Sequence, residues 1–250
     1  GDQVRRKYDF SYDAANRLMK GLFEQNDPGG GWGNGTVNYT ILMGDGMDPL
    51  SAYDANGNII GMKQWGLKIG SSSPIDELTY SYQNTLSNKL KQVTDLSNNW
   101  QSRMGDFKYD PATKTAEDYT YDANGNLTID RNRDIGTIQY NHLNLPVYIT
   151  MFPLAGQWDG VTGNITYTYD ANGNRLKKKV AETCCRTKTF NTETYYLNGF
   201  VYETKEEFWT GIPQQSNYTE RLLFVVQEEG RIRFKPADGP LQASYEFDYM

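Results

Sequence analysis

Oxygen-bearing side chains recur at a fixed spacing in three copies of the string Tyr-Asp-Ala-Asn-Gly-Asn, which begin at Tyr53, Tyr121 and Tyr169. In each copy an Asp and two Asn alternate around a Gly, an arrangement typical of calcium-binding loops. The Glu that completes such a loop is missing downstream of all three copies. One carboxylate with two amides is also a poor charge match for a divalent ion. We therefore assign these residues to turns and expect no metal or cofactor.

The sequence offers few groups for catalysis. His142 is the only histidine, so neither a two-histidine metal site nor a His-Glu-x-x-His motif can form. No Gly-x-Ser-x-Gly string and no phosphate-binding glycine loop is present. The acidic pairs Glu206-Glu207 and Glu228-Glu229 are adjacent, so on a strand their carboxylates point to opposite faces. We expect no catalytic residues and no cofactor-binding residues, and hence a protein that is not an enzyme.

The repeated string also specifies local structure. The residues 119–121 alternate large and small side chains, as expected of a strand with one packed face. Asn124-Gly125 predicts a tight primed hairpin turn, because both residues tolerate the positive φ that this turn requires at its two central positions. Asp122 can accept hydrogen bonds from the amides of the turn. The residues 127–129 then resume the alternation as the return strand.

The motif therefore defines a structural repeat in which Tyr ends a strand, Asp fixes a turn and Gly allows it. A frayed copy starts at Tyr12, weaker tyrosines stand at 82, 109 and 140, and the spacing corresponds to units of about 20 to 24 residues. Recurring large residues mark where repeats stack, so the motif tyrosines are expected on one face and largely buried. The structural motif residues are Tyr53, Asp54, Gly57, Tyr121, Asp122, Gly125, Tyr169, Asp170 and Gly173.

The predicted fold class is all-β, built from tandem β-hairpins. No segment shows a convincing 3.6-residue apolar period, and the nearest candidate, 85–97, is assigned to strand or loop because Asn and Ser occur throughout it. A hydrophobic content of 38% with 19 Tyr indicates thin, half-solvated sheets rather than one thick core. Strong units are expected near 8–20, 51–60, 118–150 and 165–181. The segment 27–35 is interpreted as a flexible glycine-rich insertion, and 60–117 as irregular because its units lack the turn Gly.

Charge and composition restrict the partners. A net charge of −6 and a pI near 4.9 argue against nucleic acid, which binds clustered Lys and Arg. The one basic run, 175–179, is interpreted as a solvated strand edge. No stretch of 18 apolar residues occurs, so no membrane insertion is expected. The five Trp lie beside Gly- or Asn-rich segments, where they either stack on sugars or cap hairpin edges, and we favour the second role.

The residues 119–127 and 167–176 resemble the YD repeats of bacterial Rhs (rearrangement hot spot) proteins. The residues 140–146 resemble the half-unit that intervenes between those repeats. The segment 195–202, with Glu228-Glu229-Gly230-Arg231, is similar to the segment that precedes the core of the family, which makes 190–250 a pre-core segment. The family also includes the shell component of insecticidal toxin complexes and the YD shell of teneurins.

This resemblance implies a long β-strip that spirals into a hollow shell around a C-terminal effector. The expected partners are then the rest of the parent chain and its effector, and the expected location is secreted or on the cell surface. The self-cleaving core motif of the family, a string like Asp-His-Leu-Gly-Asn, is absent from this sequence. A rival interpretation is an extracellular adhesive or carbohydrate-binding strip whose exposed Tyr and Trp contact glycans. The segment 243–250 alternates packing residues with no turn after it, so we expect the natural chain to continue and this edge to recruit a partner or to be weakly ordered.

Overall fold

The computed structural model describes residues 4–68, 70–97, 106–107, 109, 111, 114–151, 162–184, 188–209, 217–235 and 244–249. The chain divides into two compact units, Gly1–Thr120 and Tyr121–Met250. Within the described residues the regular structure is almost entirely β and forms two antiparallel sheets joined by hairpins. The predicted all-β fold class is therefore confirmed.

The first sheet has seven strands among the described residues. Its strand order is β1-β2-β4-β5-β6-β7, and β3 pairs with the far end of β2. The elements are β1 (Arg5–Tyr12), β2 (Leu18–Asp27), β3 (Gly31–Gly33), β4 (Ile41–Met43), α1 (Pro49–Ala52), β5 (Gly61–Lys68), β6 (Ser71–Tyr82) and β7 (Leu90–Asp95).

The second sheet has eleven strands, and every strand pairs with its neighbour in the sequence. Such an uninterrupted meander has low contact order and grows by one hairpin at a time. Its strands are β8 (Tyr119–Tyr121), β9 (Leu127–Asp130), β10 (Ile135–Tyr140), β11 (Pro146–Met151), β12 (Thr162–Tyr169), β13 (Arg175–Cys184), β14 (Lys188–Leu197), β15 (Phe200–Trp209), β16 (Tyr218–Gln227), β17 (Gly230–Lys235) and β18 (Ser244–Tyr249), with a 3₁₀ turn at Arg131–Arg133. Both sheets are open, and neither curls round on itself.

The core of the first unit lies under a single helical turn, α1. The sequence analysis predicted repeats made of strands and turns alone, so this helical turn was not expected. Asp48 caps α1 by accepting a hydrogen bond from the amide of Leu50 at 3.0 Å, and Pro49 occupies the first helical position, where its missing N–H costs nothing. The turn carries Ala52 and Tyr53 onto the sheet, where they are 0% and 7% exposed. They pack with Met19 and Met43, and with the partly buried Leu18, Ile41, Ile59 and Met62.

Gly44 permits this close approach of α1 to the sheet. Its φ is +56°, and a Cβ at this position would lie 2.5 Å from the carbonyl carbon of Ser51. A side chain there would collide with backbone and would also strain the left-handed conformation. Gly44 is therefore needed for the helical turn to close over the sheet.

Two segments are more regular than the sequence suggested. The glycine-rich stretch 27–35 forms β3, which pairs with β2 through Asp27↔Gly31 to Gln25↔Gly33, and Gly29 and Gly31 adopt positive φ in that hairpin. The stretch 60–117 contains β5, β6 and β7, with β6 running for 12 residues. Within 85–97 the structure has strand β7 and no helix, as predicted.

The second unit is thin. Among its described hydrophobic side chains only Ile138 and Val201 are buried, at 8% and 5% exposure, as is typical of antiparallel sheets whose faces are partly solvated. The prediction that all three motif tyrosines are buried is wrong for this reason: Tyr53 is buried under α1, whereas Tyr121 and Tyr169 are half-buried.

The basic run 175–179 is not at a strand edge. It lies in β13, which pairs with β12 on one side and β14 on the other. Lys177 and Lys179 both contact Glu193 across the β13–β14 pair, with N–O distances of 2.8 and 3.3 Å. The interpretation as an edge is therefore corrected, since these charges pair within the sheet.

Candidate functional site

The repeat turns are built around one carboxylate each. In the second unit, Oδ1 of Asp122 accepts hydrogen bonds from the amides of Asn124 at 2.9 Å and Asn126 at 2.8 Å, while Oδ2 accepts from Nδ2 of Asn126 at 2.9 Å. The same three bonds recur around Asp54, at 2.9, 2.8 and 2.8 Å, and around Asp170, at 2.9, 2.8 and 2.8 Å. Each Asp therefore fixes the turn that follows it.

These turns are hairpin tips, as predicted, but they are not primed turns. The amides of Gly57, Gly125 and Gly173 donate to the carbonyl three residues earlier at 3.0, 3.1 and 3.1 Å, and each Gly has φ between +84° and +87°. The preceding Asn has no positive φ in any of the three turns. This pattern is a type I turn followed by a left-handed bulge residue, which suits three-residue hairpin loops. Only the Gly, and not the Asn, needs conformational freedom.

Two further turns use the same geometry with other residues. Asp13 accepts from the amides of Ala15 and Arg17 at 2.9 and 2.8 Å, and its second oxygen accepts from Nε of Arg17 at 2.7 Å. Asn141 accepts from the amides of Leu143 and Leu145 at 2.9 and 3.0 Å. Here Asn takes the left-handed position, as Asn16 and Asn144, with φ of +61° and +57°. The backbone geometry thus recurs where the sequence motif is no longer obvious.

Four tyrosines link one repeat to the preceding one: the motif residues Tyr53 and Tyr169, and Tyr82 and Tyr140 of the weaker repeats. Each hydroxyl donates to the backbone carbonyl that stands five residues after the Asp or Asn of an earlier turn. The pairs are Tyr53 to Leu18 at 2.6 Å, Tyr82 to Ile59 at 2.9 Å, Tyr140 to Leu127 at 2.7 Å and Tyr169 to Pro146 at 2.9 Å. Because the ring packs and the hydroxyl binds the adjacent hairpin, the residue both fills space and sets the distance between units.

Asparagine side chains join the turn tips directly. Nδ2 of Asn124 and Nδ2 of Asn126 both donate to Oδ1 of Asn144, at 3.0 and 2.9 Å. In the first unit Nδ2 of Asn58 donates to Oδ1 of Asn88 at 3.0 Å. The last Asn of the motif, at 58 and 126, therefore binds both its own turn and a later one.

The repeat carboxylates are engaged by N–H donors. The hydrogen bond from the Asn126 side chain holds the pKa of Asp122 below its usual range, and Asn174 does the same for Asp170. The oxygens of these turns are directed at turn amides. These carboxylates therefore stabilise the conformation of the loop.

A second cluster of carboxylates was not foreseen from the sequence. One carboxylate oxygen from each of Asp76, Asp95 and Asp106 lies within 4.8 Å of the other two. Asp76 on β6 is 1% exposed and Asp95 on β7 is 5% exposed. Asp76 accepts from the amide of Phe107 at 2.7 Å, and Asp95 accepts from the amides of Glu77 and Ser97 at 2.8 and 2.9 Å.

Burial, with a smaller contribution from the neighbouring charges of Asp106 and Asp95, raises the pKa of Asp76 to about 6. Three carboxylates in this arrangement can share a proton or hold a divalent cation. Sequence reasoning missed the cluster because β6 and β7 bring residues 76 and 95 together only through strand pairing. The one local signal is the position of Asp76 on β6 between the apolar residues Ile75 and Leu78, both of which are buried.

The remaining candidates from the sequence do not converge on a site. His142 is exposed at the tip of the β10–β11 hairpin. Trp32 and Trp209 are 45% and 41% exposed, and each stacks with a lysine ammonium, from Lys7 at 5.2 Å and from Lys188 at 3.8 Å. Glu207 is half-buried while its neighbour Glu206 is exposed, as strand alternation requires. Trp100 and Trp158 lie outside the described residues.

No protein-family model matches this chain, and no curated protein matches it. In the described part of the chain, no helix has both the length and the apolar character to cross a membrane.

Proposed function

We propose that this chain is a non-catalytic structural segment of an Rhs-type YD-repeat protein and forms part of the wall of a β-shell around a C-terminal effector. Its partners are the rest of the parent chain and that effector, at a secreted or surface location. The observation that carries this proposal is the recurrent tyrosine bond between successive hairpins, made by Tyr53, Tyr82, Tyr140 and Tyr169.

A link of this kind supports an architectural role. The tyrosine bond sets the distance between each hairpin and the one before it. A strip of any length can therefore form by repeating this one contact. The eleven-stranded meander supports the same conclusion, because its strand order follows the sequence without crossover. A sheet in which each strand follows its predecessor in sequence suits a wall that grows by adding further repeats. The curvature needed to close such a wall into a shell is part of what we propose.

The strongest argument for a different class of function comes from Asp76, Asp95 and Asp106. Their carboxylates are close enough to bind a cation or hold a proton. However, Asp76 and Asp95 are almost fully buried and accept hydrogen bonds from backbone amides of their own unit. A group that anchors backbone segments has a structural role, and we assign one to this cluster.

The decisive experiment uses the parent protein with its C-terminal segment. The shell proposal expects that segment to resist added protease in the intact protein, and expects a hollow particle by cryo-electron microscopy. The variant Tyr53→Phe/Tyr82→Phe/Tyr140→Phe/Tyr169→Phe removes the four inter-unit hydroxyls and should expose the C-terminal segment to cleavage. The variant Tyr12→Phe, at a tyrosine that is 55% exposed, is the matched control and should leave it protected.

The proposal fails if the C-terminal segment of the unaltered parent is cleaved as fast as the same segment expressed alone. The adhesive alternative predicts instead that the 250-residue chain binds oligosaccharides on a glycan array, and that alanine in place of Trp32 or Trp209 abolishes the signal. Binding of that kind, without protection of the C-terminal segment, would assign the chain to the adhesive class.

A further inference from the structure

The chain contains five Asn-Gly dipeptides, at 34–35, 56–57, 124–125, 172–173 and 198–199. Asn is thermolabile in proteins, because its side-chain amide can be lost by deamidation. This reaction is fastest where Gly follows the Asn, because no side chain then shields the next backbone nitrogen. That nitrogen attacks the side-chain carbonyl carbon of Asn. Whether the attack succeeds depends on how the fold holds the two groups, and the five sites are held in different ways.

All three repeat turns restrain the glycine amide, and two of them also restrain the Asn side chain. The amides of Gly57, Gly125 and Gly173, which contain the attacking nitrogens, donate hydrogen bonds to the carbonyl of the turn Asp at 3.0, 3.1 and 3.1 Å. The side chain of Asn124 donates to Asn144 at 3.0 Å, and that of Asn56 to the carbonyl of Thr85 at 3.4 Å. Before deamidation can occur, the glycine amide must break its hydrogen bond and the Asn side chain must rotate towards the glycine nitrogen.

Asn198-Gly199 lies in a different kind of turn. Leu197 pairs with Phe200, so the loop between β14 and β15 is two residues long, and both loop residues have positive φ, +47° and +86°. This is the primed turn that the sequence suggested for the repeats. In such a loop the flanking residues make the closing hydrogen bonds, which leaves the amide of the second loop residue directed outward. Asn198 and Gly199 are both exposed.

We propose that Asn198 is a site of spontaneous deamidation and isoaspartate formation, from which the repeat asparagines 56, 124 and 172 are protected by their turns. The amide nitrogen of Gly199, after losing its proton to solvent, bonds to Cγ of Asn198. The Cγ–Nδ2 bond breaks and ammonia leaves, which gives a cyclic succinimide. Water then opens the ring at either carbonyl, giving Asp or isoaspartate. The net change is the addition of water and the loss of ammonia.

The modification affects a point where three strands meet. The carbonyl of Gly199 accepts a hydrogen bond from the amide of Val226 on β16 at 2.8 Å. Isoaspartate inserts a methylene into the backbone and leaves a carboxylate beside it. A two-residue turn cannot accommodate either change without distortion. The tip of the β14–β15 hairpin should therefore loosen, and with it the bond to β16.

Peptide mapping by mass spectrometry measures this directly. The folded chain is incubated in warm, mildly alkaline buffer, and the deamidated fraction is followed at each Asn-Gly. We expect Asn198 to react about tenfold faster than Asn56, Asn124 and Asn172, since opening hydrogen bonds of this strength slows a reaction by about that factor. Asn34 lies exposed in a bend. It serves as an internal reference for an Asn-Gly site outside the repeat turns.

The chain in denaturant is the control, where the five sites should react at comparable rates. The variant Asp122→Ala removes the carboxylate that holds one repeat turn, so Asn124 should speed up towards the rate of Asn198 while Asn172 in the same molecule stays slow. Equal rates at Asn198 and the three repeat asparagines in the folded chain would overturn the proposal. A slow Asn124 in Asp122→Ala would overturn its explanation by turn protection.

Discussion

At the scale of single residues, the motif tyrosine has two separable contributions, its ring and its hydroxyl. Tyr53 shows both, because the ring is 7% exposed and the hydroxyl donates to Leu18 at 2.6 Å. The guanidinium of Arg17 also stacks on this ring at 4.3 Å. The residue therefore connects the frayed first turn, α1 and the sheet.

We expect Tyr53→Phe to lower the free energy of unfolding by about 1 kcal/mol, the net value of one hydrogen bond. Tyr53→Ala should lower it by about 3 kcal/mol, because a buried large aromatic is lost as well. Denaturant titration measures both. Tyr12→Phe is the control and should stay within about 0.5 kcal/mol. Equal effects of Tyr53→Phe and Tyr12→Phe would show that the hydroxyl bond contributes nothing.

The raised pKa of Asp76 makes the free energy of unfolding depend on pH. The pKa of this carboxyl is raised from 3.8 to about 6 in the folded chain, so the folded state binds more protons than the unfolded state between these values. Stability should then fall as pH rises from about 4 to 6. Asp76→Asn cannot ionise, and should flatten this slope and stabilise the protein at neutral pH by about 2 kcal/mol.

Glu193 provides a control of opposite sign. Hydrogen bonds from Lys177 and Tyr195 lower its pKa from 4.5 to about 2, so its contribution is present above pH 4.5 and is lost as pH falls towards 2. Glu193→Gln should therefore destabilise at neutral pH, where Asp76→Asn stabilises. Thermal melts from pH 2 to 8 measure both, and a destabilising Asp76→Asn at neutral pH would contradict the buried-carboxyl account.

At the scale of elements, the repeat turn requires one backbone geometry rather than one sequence. The left-handed position is Gly in three turns and Asn at 16 and 144, the two residues that adopt this conformation with least strain. The Asp or Asn at the start of the turn is equally exchangeable, because either side chain offers an oxygen to the amides two and four residues on.

Gly57 tests this rule without interference from packing, since nothing lies within 4 Å of a Cβ built there. Gly57→Ala should cost about 1 kcal/mol from the left-handed φ of +84° alone. Gly57→Asn should cost less than about half of that, because Asn tolerates the conformation. Chemical denaturation of the two variants side by side gives the comparison. An Asn variant as unstable as the Ala variant would refute the geometric explanation.

At the scale of the whole molecule, each of the two sheets has a first and a last strand in its strand order. The first strand, β1, is an edge strand that exposes Tyr8, Phe10 and Tyr12 by 43%, 57% and 55%. An aromatic edge strand readily pairs with another chain. Such pairing would extend the wall that we propose this chain to form.

We expect the isolated chain to associate in a concentration-dependent way through β1. Phe10→Lys places a charge on this edge and should reduce association. Leu50→Lys, at a position on α1 that is also exposed (80%), should leave association unchanged. Light scattering over a range of concentrations measures this. A monomer at every concentration would contradict the prediction.

The sequence by itself determined the local structure. The string Tyr-Asp-Ala-Asn-Gly-Asn predicted hairpin tips, and the tips lie where it placed them, because Asp-to-amide bonds and the left-handed Gly act within six residues. It could not distinguish a primed turn from a bulged one, since Asn-Gly suits both. That choice depends on the length of the loop, which strand pairing sets at 124–125 and differently at 198–199.

Only the tertiary structure decided the contacts between units. The tyrosine bonds, such as that from Tyr169 to Pro146, span 23 residues, and the cluster of Asp76, Asp95 and Asp106 forms where β6 pairs with β7 and residue 106 lies against them. Burial of Tyr53 depends on α1, a helical turn that closes only because Gly44 leaves room for it. Such features depend on strand register and on layers that cover a sheet, and these are set by packing across distant parts of the chain, which local residue preferences do not encode.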